Sequence, residues 1–431
     1  METNLLKQIF FDQQHHWDKF KQKHGRRIRP VVIKEVEKSK RCGDPKYGFK
    51  LLVCEFCRDI RAVPYRCKGR FCTTCSSGET EEWSRIMTED VMQVNHRHVI
   101  FTIDEGLWPI FQKHREMLKG LMDEAAEIIQ NWFEKKQKIK PGIIAGIHTF
   151  GAKLNFNPHV HMMVSMGGMK QTGEWKSYDF IPFAMMRKQW QTAVLKLIRR
   201  TVKEQEKQKI QPILQRAYQA NGAGFYVHAP RQKGNIRAQL GYIGRYMRRP
   251  AIALHRIEEY DGQYVTYRYH DKKDGQEKRE KITAEEFIGR IISHIAEEQF
   301  KTIRHYGVYG RRIKVLSKKL ISAWQKEARR WIVKIKSIIK RRNWSERIKE
   351  QTGKDPLVCP ACQNYYEYQG EVCLKQGELV VKYAVEKTAR ACMERMISHI
   401  TGIKALQKRQ EEAPKKEVEN LGYRQLYMFG V

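Results

Sequence analysis

Two histidines flank one apolar residue in the stretch Asn157-Pro158-His159-Val160-His161-Met162-Met163-Val164. In a β-strand alternate side chains share a face, so His159 and His161 point one way while Val160 and Met162 point the other. Two imidazoles on one face can bind a single divalent metal ion. Pro158 suits the first residue of a strand, having no N–H to give to the ladder. If 143–165 is a hairpin, antiparallel pairing brings His148, near the turn end of its first strand, close to His159. His148 is therefore the candidate third ligand; a histidine bonded to neighbouring backbone is the plainer alternative. A second group with chemical potential is cysteine. Cys54-x2-Cys57 and Cys72-x2-Cys75 are two knuckles, and each sets two thiolates close enough to share one zinc ion. Together they would complete a tetrahedron, leaving Cys42 and Cys67 over, as second-site ligands with a rearranged pairing. Cys359-x2-Cys362 is one more knuckle with only Cys373 close behind it. It reads either as a zinc ligand pair or as a degenerate ribbon.

The elements that must position these groups follow from periodicity. Arg97–Ile103 and Ile143–Phe150 are β-branched and aromatic runs that read as strands. Gly167-Gly168 is expected to end the histidine strand. Helices are expected over 4–24, 28–40, 107–136, 180–205, 284–297 and 316–350, with the charged stretch 203–212 as the end of the fourth of these or a surface connection. A three-stranded meander is expected over 252–282, with turns at Asp261-Gly262 and Asp274-Gly275. Between them lies 235–250, where Ile236, Leu240, Ile243 and Met247 mark one buried helical face. Tyr242 and Tyr246 are neighbours on this helix, about a quarter turn from that face. A polar face bearing tyrosines fits a helix lining a cleft, or two tyrosines packing at a surface.

Composition narrows the partners. The 431 residues are 41% hydrophobic, which fits a folded chain of two to three domains. Lys and Arg number 82 against 48 Asp and Glu, a net charge of +34. Such an excess calls for a polyanion, and nucleic acid is the partner it fits. Arg58, Arg61, Arg66, Lys68 and Arg70 run between the cysteines, a phosphate-contacting or simply solvated face. Ile303–Arg312 mixes aromatic and basic groups, as stacking on bases with phosphate contacts requires; Arg304, His305, Arg311 and Arg312 are its candidate DNA contacts, and 316–350 adds a basic helix. No apolar run is long enough for a membrane span, and the N-terminus does not read as a secretory signal. The ten cysteines are then expected in a reducing cytoplasm, binding metal in preference to forming disulfides.

The ordered landmarks resemble a known family. They are Cys67-Lys-Gly-Arg-Phe-Cys72-Thr-Thr-Cys75, Arg97-His-Val-Ile-Phe-Thr102, Ile147-His-Thr-Phe-Gly151, Asn157-Pro-His-Val-His161, Tyr242-Ile-Gly-Arg-Tyr246 with Arg-Arg-Pro after Met247, and Ile303-Arg-His-Tyr-Gly307. The chain resembles the HUH single-strand endonucleases and, more closely, the two-tyrosine rolling-circle transposases of insertion sequence family ninety-one. The resemblance runs over roughly residues 15–345. It implies an α+β fold whose core is a ferredoxin-like antiparallel sheet. The chain is then read as N-terminal helices over 1–41, a zinc-binding domain over 42–80, a nuclease domain over 90–315 and, over 316–431, a basic helical region with or without a degenerate zinc ribbon. His159 and His161, with His148 or an acidic or amide side chain, would hold Mg²⁺ or Mn²⁺; Cys42, Cys54, Cys57, Cys67, Cys72 and Cys75 would hold structural Zn²⁺. Tyr242 and Tyr246 would cut and rejoin single-stranded DNA at element ends and target, with Arg245 and Arg249 beside them on the strand; Tyr246 has a structural or base-stacking role as its alternative. Such a protein would act near the nucleoid of a prokaryote. A replication initiator or relaxase shares this chemistry, and a non-catalytic zinc-dependent DNA-binding regulator is the rival from another class.

Overall fold

A computed structural model describes residues 4–92, 94–229, 241, 251–271, 274–310 and 342–402. Its strands in chain order are β1 (Gly48–Cys54), β2 (Ile60–Pro64), β3 (His96–Phe101), β4 (Lys140–Phe150), β5 (Phe156–Met169), β6 (Trp175–Ser177), β7 (Val227–His228), β8 (Ile257–Tyr260), β9 (Tyr264–His270), β10 (Glu277–Thr283), β11 (Ile303–Gly307), β12 (Tyr366–Lys375) and β13 (Glu378–Ala384). The chain is α+β, and its strand pairings are antiparallel. It divides into two compact units. One gathers the described residues up to Phe11, Arg27–Gly78 and those from Arg342 onward; the other takes Asp12–Arg26 and the described part of Glu79–Arg341.

The larger unit is built on a sheet of order β11-β4-β5-β3-β7, with β6 paired to the far end of β5. The alternation of β5 decides what this sheet buries. Val160, Met162 and Val164 join Val99, Phe101, Ile143, Ala145 and Ile147 in one core. That core is closed by the helices Met117–Gln137 and Phe183–Thr201. Leu118, Leu121, Met122, Ala125, Ile129 and Phe133 recur at helical spacing and are buried. Trp190 pins the second helix to the sheet by donating its indole N–H to the Thr102 carbonyl at 2.7 Å. Ile144 and Met163 face the opposite way, into a smaller core with Met87, Val91, Trp175 and Tyr309. Each face of the sheet is thus apolar along most of its length, and the histidines sit where the second face is not.

A three-stranded meander, β10-β9-β8, completes this unit with the helix Ala284–Ile292. It grips the β4–β5 turn. Arg256 donates to the Ala152 carbonyl at 2.8 Å, and Arg290 and the Tyr267 hydroxyl donate to that of Lys153 at 2.9 and 3.1 Å. His294 reaches the Leu154 carbonyl at 3.0 Å. Leu154 itself is fully buried with φ 59, so the turn that feeds the histidine strand is held from inside and outside.

The smaller unit carries a sheet of order β13-β12-β1-β2. One face, with Phe49, Leu51, Val372 and Val381, packs on Ala389, Met393 and Met396 of the helix Lys387–Thr401. Its central partners, β1 and β12, pair Gly48 with Cys373 and Cys54 with Tyr366.

Several expectations are corrected. The helix expected over 4–24 is two helices, Leu5–Phe11 and His16–His24. Asp12 breaks it by accepting from the Gln14 N–H at 3.0 Å, a local bond that competes with helix. Gly167-Gly168 does not end β5: Gly167, at φ 134, pairs with Ser177, and a Cβ there would meet the Lys176 carbonyl at 2.5 Å. These glycines serve close strand approach. The stretch 203–212 belongs to a helix of its own, Glu204–Ala220, and the first meander strand begins at Ile257. The region from 358 to 384 contributes strands, not only helix. Among the described residues no helix is long and apolar enough to cross a membrane.

Candidate metal centre and zinc clusters

The hairpin register settles where the histidines meet. His148 pairs directly with His159, and Gly146 with His161, so all three imidazoles share one face of β4 and β5. Their ligand nitrogens lie within 4.8 Å of one another. The rings are 4.4 Å (His148–His161), 4.7 Å (His159–His161) and 5.6 Å (His148–His159) apart by centroid. Glycine at 146 leaves no side chain opposite His161. The ladder is interrupted between His148 and Phe150, opposite Pro158, which lies within β5 just beyond the last β3 pairing at Val160. His148 and His161 are buried while His159 is half-buried, giving the cluster its solvent side.

Neighbouring groups fix which nitrogens face inward. His159 Nδ1 lies 2.7 Å from the Asn157 carbonyl, which can only accept. Nδ1 therefore carries the proton and Nε2 keeps its lone pair. His161 Nδ1 is 2.9 Å from His98 Nε2 on β3. If His161 donates there, its Nε2 is likewise left as a ligand atom, and His98 acts as the orienting acceptor. Burial, then the charges of His159 and His228, pull His98 down to about 4, so it is neutral near pH 7. A neutral His98 can take that proton. Three neutral imidazole nitrogens suit a divalent ion of intermediate softness. His98 was missed at the level of sequence, although His96-Arg97-His98 repeats the His-x-His spacing. Its partner His96 points the same way but is structural: it bonds the Val94 carbonyl and the Tyr309 hydroxyl, both at 2.7 Å.

The remaining candidates divide. Tyr242, Tyr246, Arg245, Arg249, Arg311 and Arg312 lie outside the described residues. Gly241, next to Tyr242, is described, and its carbonyl accepts from the Ser84 hydroxyl at 3.4 Å. Arg304 is on the helix side of β11, 3.3 Å from Asp123 and stacked on Tyr306, which bonds the same carboxylate at 2.7 Å. That arrangement packs the sheet edge. His305 alternates with it, is exposed, and pairs with Ile144 on the histidine side. Arg61 is structural too, donating to the Pro356 carbonyl at 2.6 Å and lying over Tyr366.

Eight cysteines form two clusters, and their pairing corrects the expectation that Cys54, Cys57, Cys72 and Cys75 share one tetrahedron. Cys42, Cys67, Cys72 and Cys75 are together, and Cys54 and Cys57 lie instead with Cys359 and Cys362. In the first cluster Cys75 Sγ is 3.5 Å from Cys42 and 3.7 Å from Cys67. Four sulfurs bound to one zinc at about 2.3 Å are about 3.8 Å apart, so the donors fit a structural zinc ion. The physical reason for the exchange is β1: Cys42 precedes this strand, Cys54 is its last residue, and only Cys42 is on the side of the second knuckle. Cys373 lies in β12 and joins neither cluster.

Comparison with known proteins agrees with this layout. Residues 142–319, from β4 past the tyrosine segment, match a family model described as a putative transposase. Residues 12–103 match one described as a transposase zinc-binding domain. The transposase for insertion sequence element IS801 from Pseudomonas savastanoi pv. phaseolicola is 26% identical over 66% of this chain and 72% of its own. The putative transposase y4qJ from Sinorhizobium fredii (strain NBRC 101917 / NGR234) is 26% identical over 74% of this chain and 84% of its own. No solved structure matches. The protein is thus a zinc-binding transposase, an enzyme that acts on DNA. Within that class it is similar to the transposases of insertion sequence family ninety-one.

Proposed function

We propose that this transposase cuts and rejoins single-stranded DNA at element ends through a 5′-phosphotyrosine link, as rolling-circle transposition requires. The observation that carries the reading is the convergence of His148, His159 and His161 on one face of an antiparallel hairpin. These three residues would hold Mg²⁺ or Mn²⁺; nitrogen ligands favour Mn²⁺ by affinity and abundance favours Mg²⁺. A divalent ion bound there supplies Lewis-acid polarisation of a phosphate. The protein's own groups do the rest. His98 and the Asn157 carbonyl orient two of the imidazoles. Tyr242 or Tyr246 attacks phosphorus in line: the Tyr Oη–P bond forms, the P–O3′ bond breaks, and the leaving oxygen takes up a proton to become a free 3′-OH. The phenolic proton is lost to solvent or a nearby base, because an unperturbed tyrosine, with pKa about 10, is protonated at neutral pH. The phosphodiester count is unchanged, so the reverse attack by a 3′-OH rejoins strands without ATP. A second tyrosine permits a second cut while the first link persists. Arg245, Arg249, His305, Arg311 and Arg312 would contact the strand.

The test is a covalent-adduct assay. With Mn²⁺ and single-stranded oligonucleotides carrying element ends, the full chain should form a denaturation-resistant protein–DNA species. Tyr242→Phe with Tyr246→Phe should abolish it. Cleavage without an adduct, or an adduct that survives the double change, would overturn the mechanism; a DNA-binding regulator would give neither.

A further inference from the structure

The cluster of Cys54, Cys57, Cys359 and Cys362 lies half outside the region that matches a zinc-binding domain, which ends at residue 103. Cys54 Sγ is 3.4 Å from Cys362, and Cys57 is 3.5 Å from both Cys359 and Cys362. These separations are far beyond a disulfide and close to the edge of a zinc tetrathiolate, about 3.8 Å. The backbone supplies an independent argument, because the two knuckles are built alike. In the first, Arg58 N–H donates to the Cys54 carbonyl at 2.9 Å and Cys54 N–H to the Asp59 carbonyl at 2.9 Å. In the second, Gln363 N–H donates to the Cys359 carbonyl at 2.9 Å and Cys359 N–H to the Asn364 carbonyl at 2.7 Å. The fifth residue of each is left-handed, Arg58 at φ 58 and Gln363 at φ 62. Neither is a glycine, so each turn adopts a conformation that L side chains disfavour in order to turn two thiolates toward one point. Two such turns facing each other make a complete four-thiolate site.

We infer that this protein binds a second structural zinc ion, held by Cys54 and Cys57 from the start of the chain and Cys359 and Cys362 from near its end. The surroundings support a permanent site. Cys54 and Cys359 are fully buried with Leu52 and Tyr366, and the Tyr366 hydroxyl bonds Asp59 beside the first knuckle. β12, which follows the second knuckle, pairs along the whole of β1, which precedes the first. The metal therefore closes a loop of some three hundred residues in sequence, within which the entire histidine-bearing sheet is encoded. The C-terminal strands and the helix Lys387–Thr401 belong to the same metal-bound unit as the N-terminal knuckles and are not an appendage to it. A chain ending before residue 342 would lose two ligands and the partner of β1 together.

Zinc per chain decides the matter. The purified full-length protein, passed through a mild chelator, should hold two zinc ions with four sulfur ligands each by X-ray absorption. The double variant Cys359→Ser/Cys362→Ser should hold one, as should Cys72→Ser/Cys75→Ser. One zinc in the unaltered protein, or two in Cys359→Ser/Cys362→Ser, would overturn the assignment. Should a variant precipitate, thiol footprinting of the unaltered chain gives a second answer. Cys57 is exposed in the fold and Cys362 partly so, and only a bound metal would shield them. With zinc in place both should resist a maleimide, and stripping the metal should expose Cys57 and Cys362 together. Modification of Cys57 or Cys362 in the zinc-loaded protein would contradict the site.

Discussion

At the scale of single residues, the larger unit depends on histidines that burial keeps neutral. Burial pushes His96 and His294 from an ordinary 6.5 down to about 4. Their folded-state values lie below the unfolded ones, so the unfolded chain takes up protons between pH 6.5 and 4 that the fold refuses. Stability from these groups is then complete above pH 6.5 and is lost as the pH falls toward 4. Each group can contribute up to about 3 kcal/mol over that window. The apparent melting temperature should be flat above pH 6.5 and fall steeply below it, and His294→Gln should make the acid limb shallower. An acid limb of unchanged slope in that variant would exclude this origin. The residues proposed to hold the ion were legible as types and spacing: His148, His159 and His161 fall where alternation and hairpin pairing put them. His98 was not, because its role depends on which strand lies beside β5, and that adjacency is set by long-range pairing rather than by local pattern. For the same reason the pairing of Arg304 with Asp123 was not legible, because it depends on the helix that packs beside β11.

Elements carry the precision of the site. β11 closes the sheet edge beside β4 and ends at Gly307, whose φ is 58 and where a Cβ would overlap the Pro141 carbonyl oxygen. Because the obstacle is backbone, relief requires moving β4, the strand that carries His148. Gly307→Ala should cost about 1–3 kcal/mol, the usual penalty of overpacking, and lower the thermal midpoint. An unchanged midpoint would show that the edge is looser than its geometry implies. Strands β3 and β4, as β-branched and aromatic runs, and β5, with its His-x-His head, were legible from the sequence, as were the turns at Gly262 and Gly275. Helix 4–24 was not, because its apolar spacing continues across Asp12 while the local side-chain bond there ends the helix. The cysteine pairing was illegible for a related reason. Sequence proximity favours joining Cys57 to Cys72, whereas the fold places a strand between them and draws Cys54 and Cys57 to a knuckle more than three hundred positions away.

On the scale of the whole molecule, charge and chemistry make separate demands. A net charge of +34 gives long-range attraction for any nucleic acid, which brings the strand to the protein but does not choose the bond to be cut. Binding to single-stranded DNA should therefore weaken steeply with salt, by about a thousandfold between 50 and 200 mM if six or more phosphates are contacted. Affinity that is insensitive to salt would mean that the excess charge serves something else. In the proposed mechanism selection of the bond falls to the three-histidine face, and pulsed electron paramagnetic resonance of added Mn²⁺ tests whether that face holds an ion. The unaltered protein should show nitrogen couplings from imidazole, and His148→Ala, His159→Ala and His161→Ala should bind Mn²⁺ more weakly and with fewer couplings. Mn²⁺ bound without nitrogen couplings, or bound equally well by all three variants, would mean that these histidines do not hold the ion.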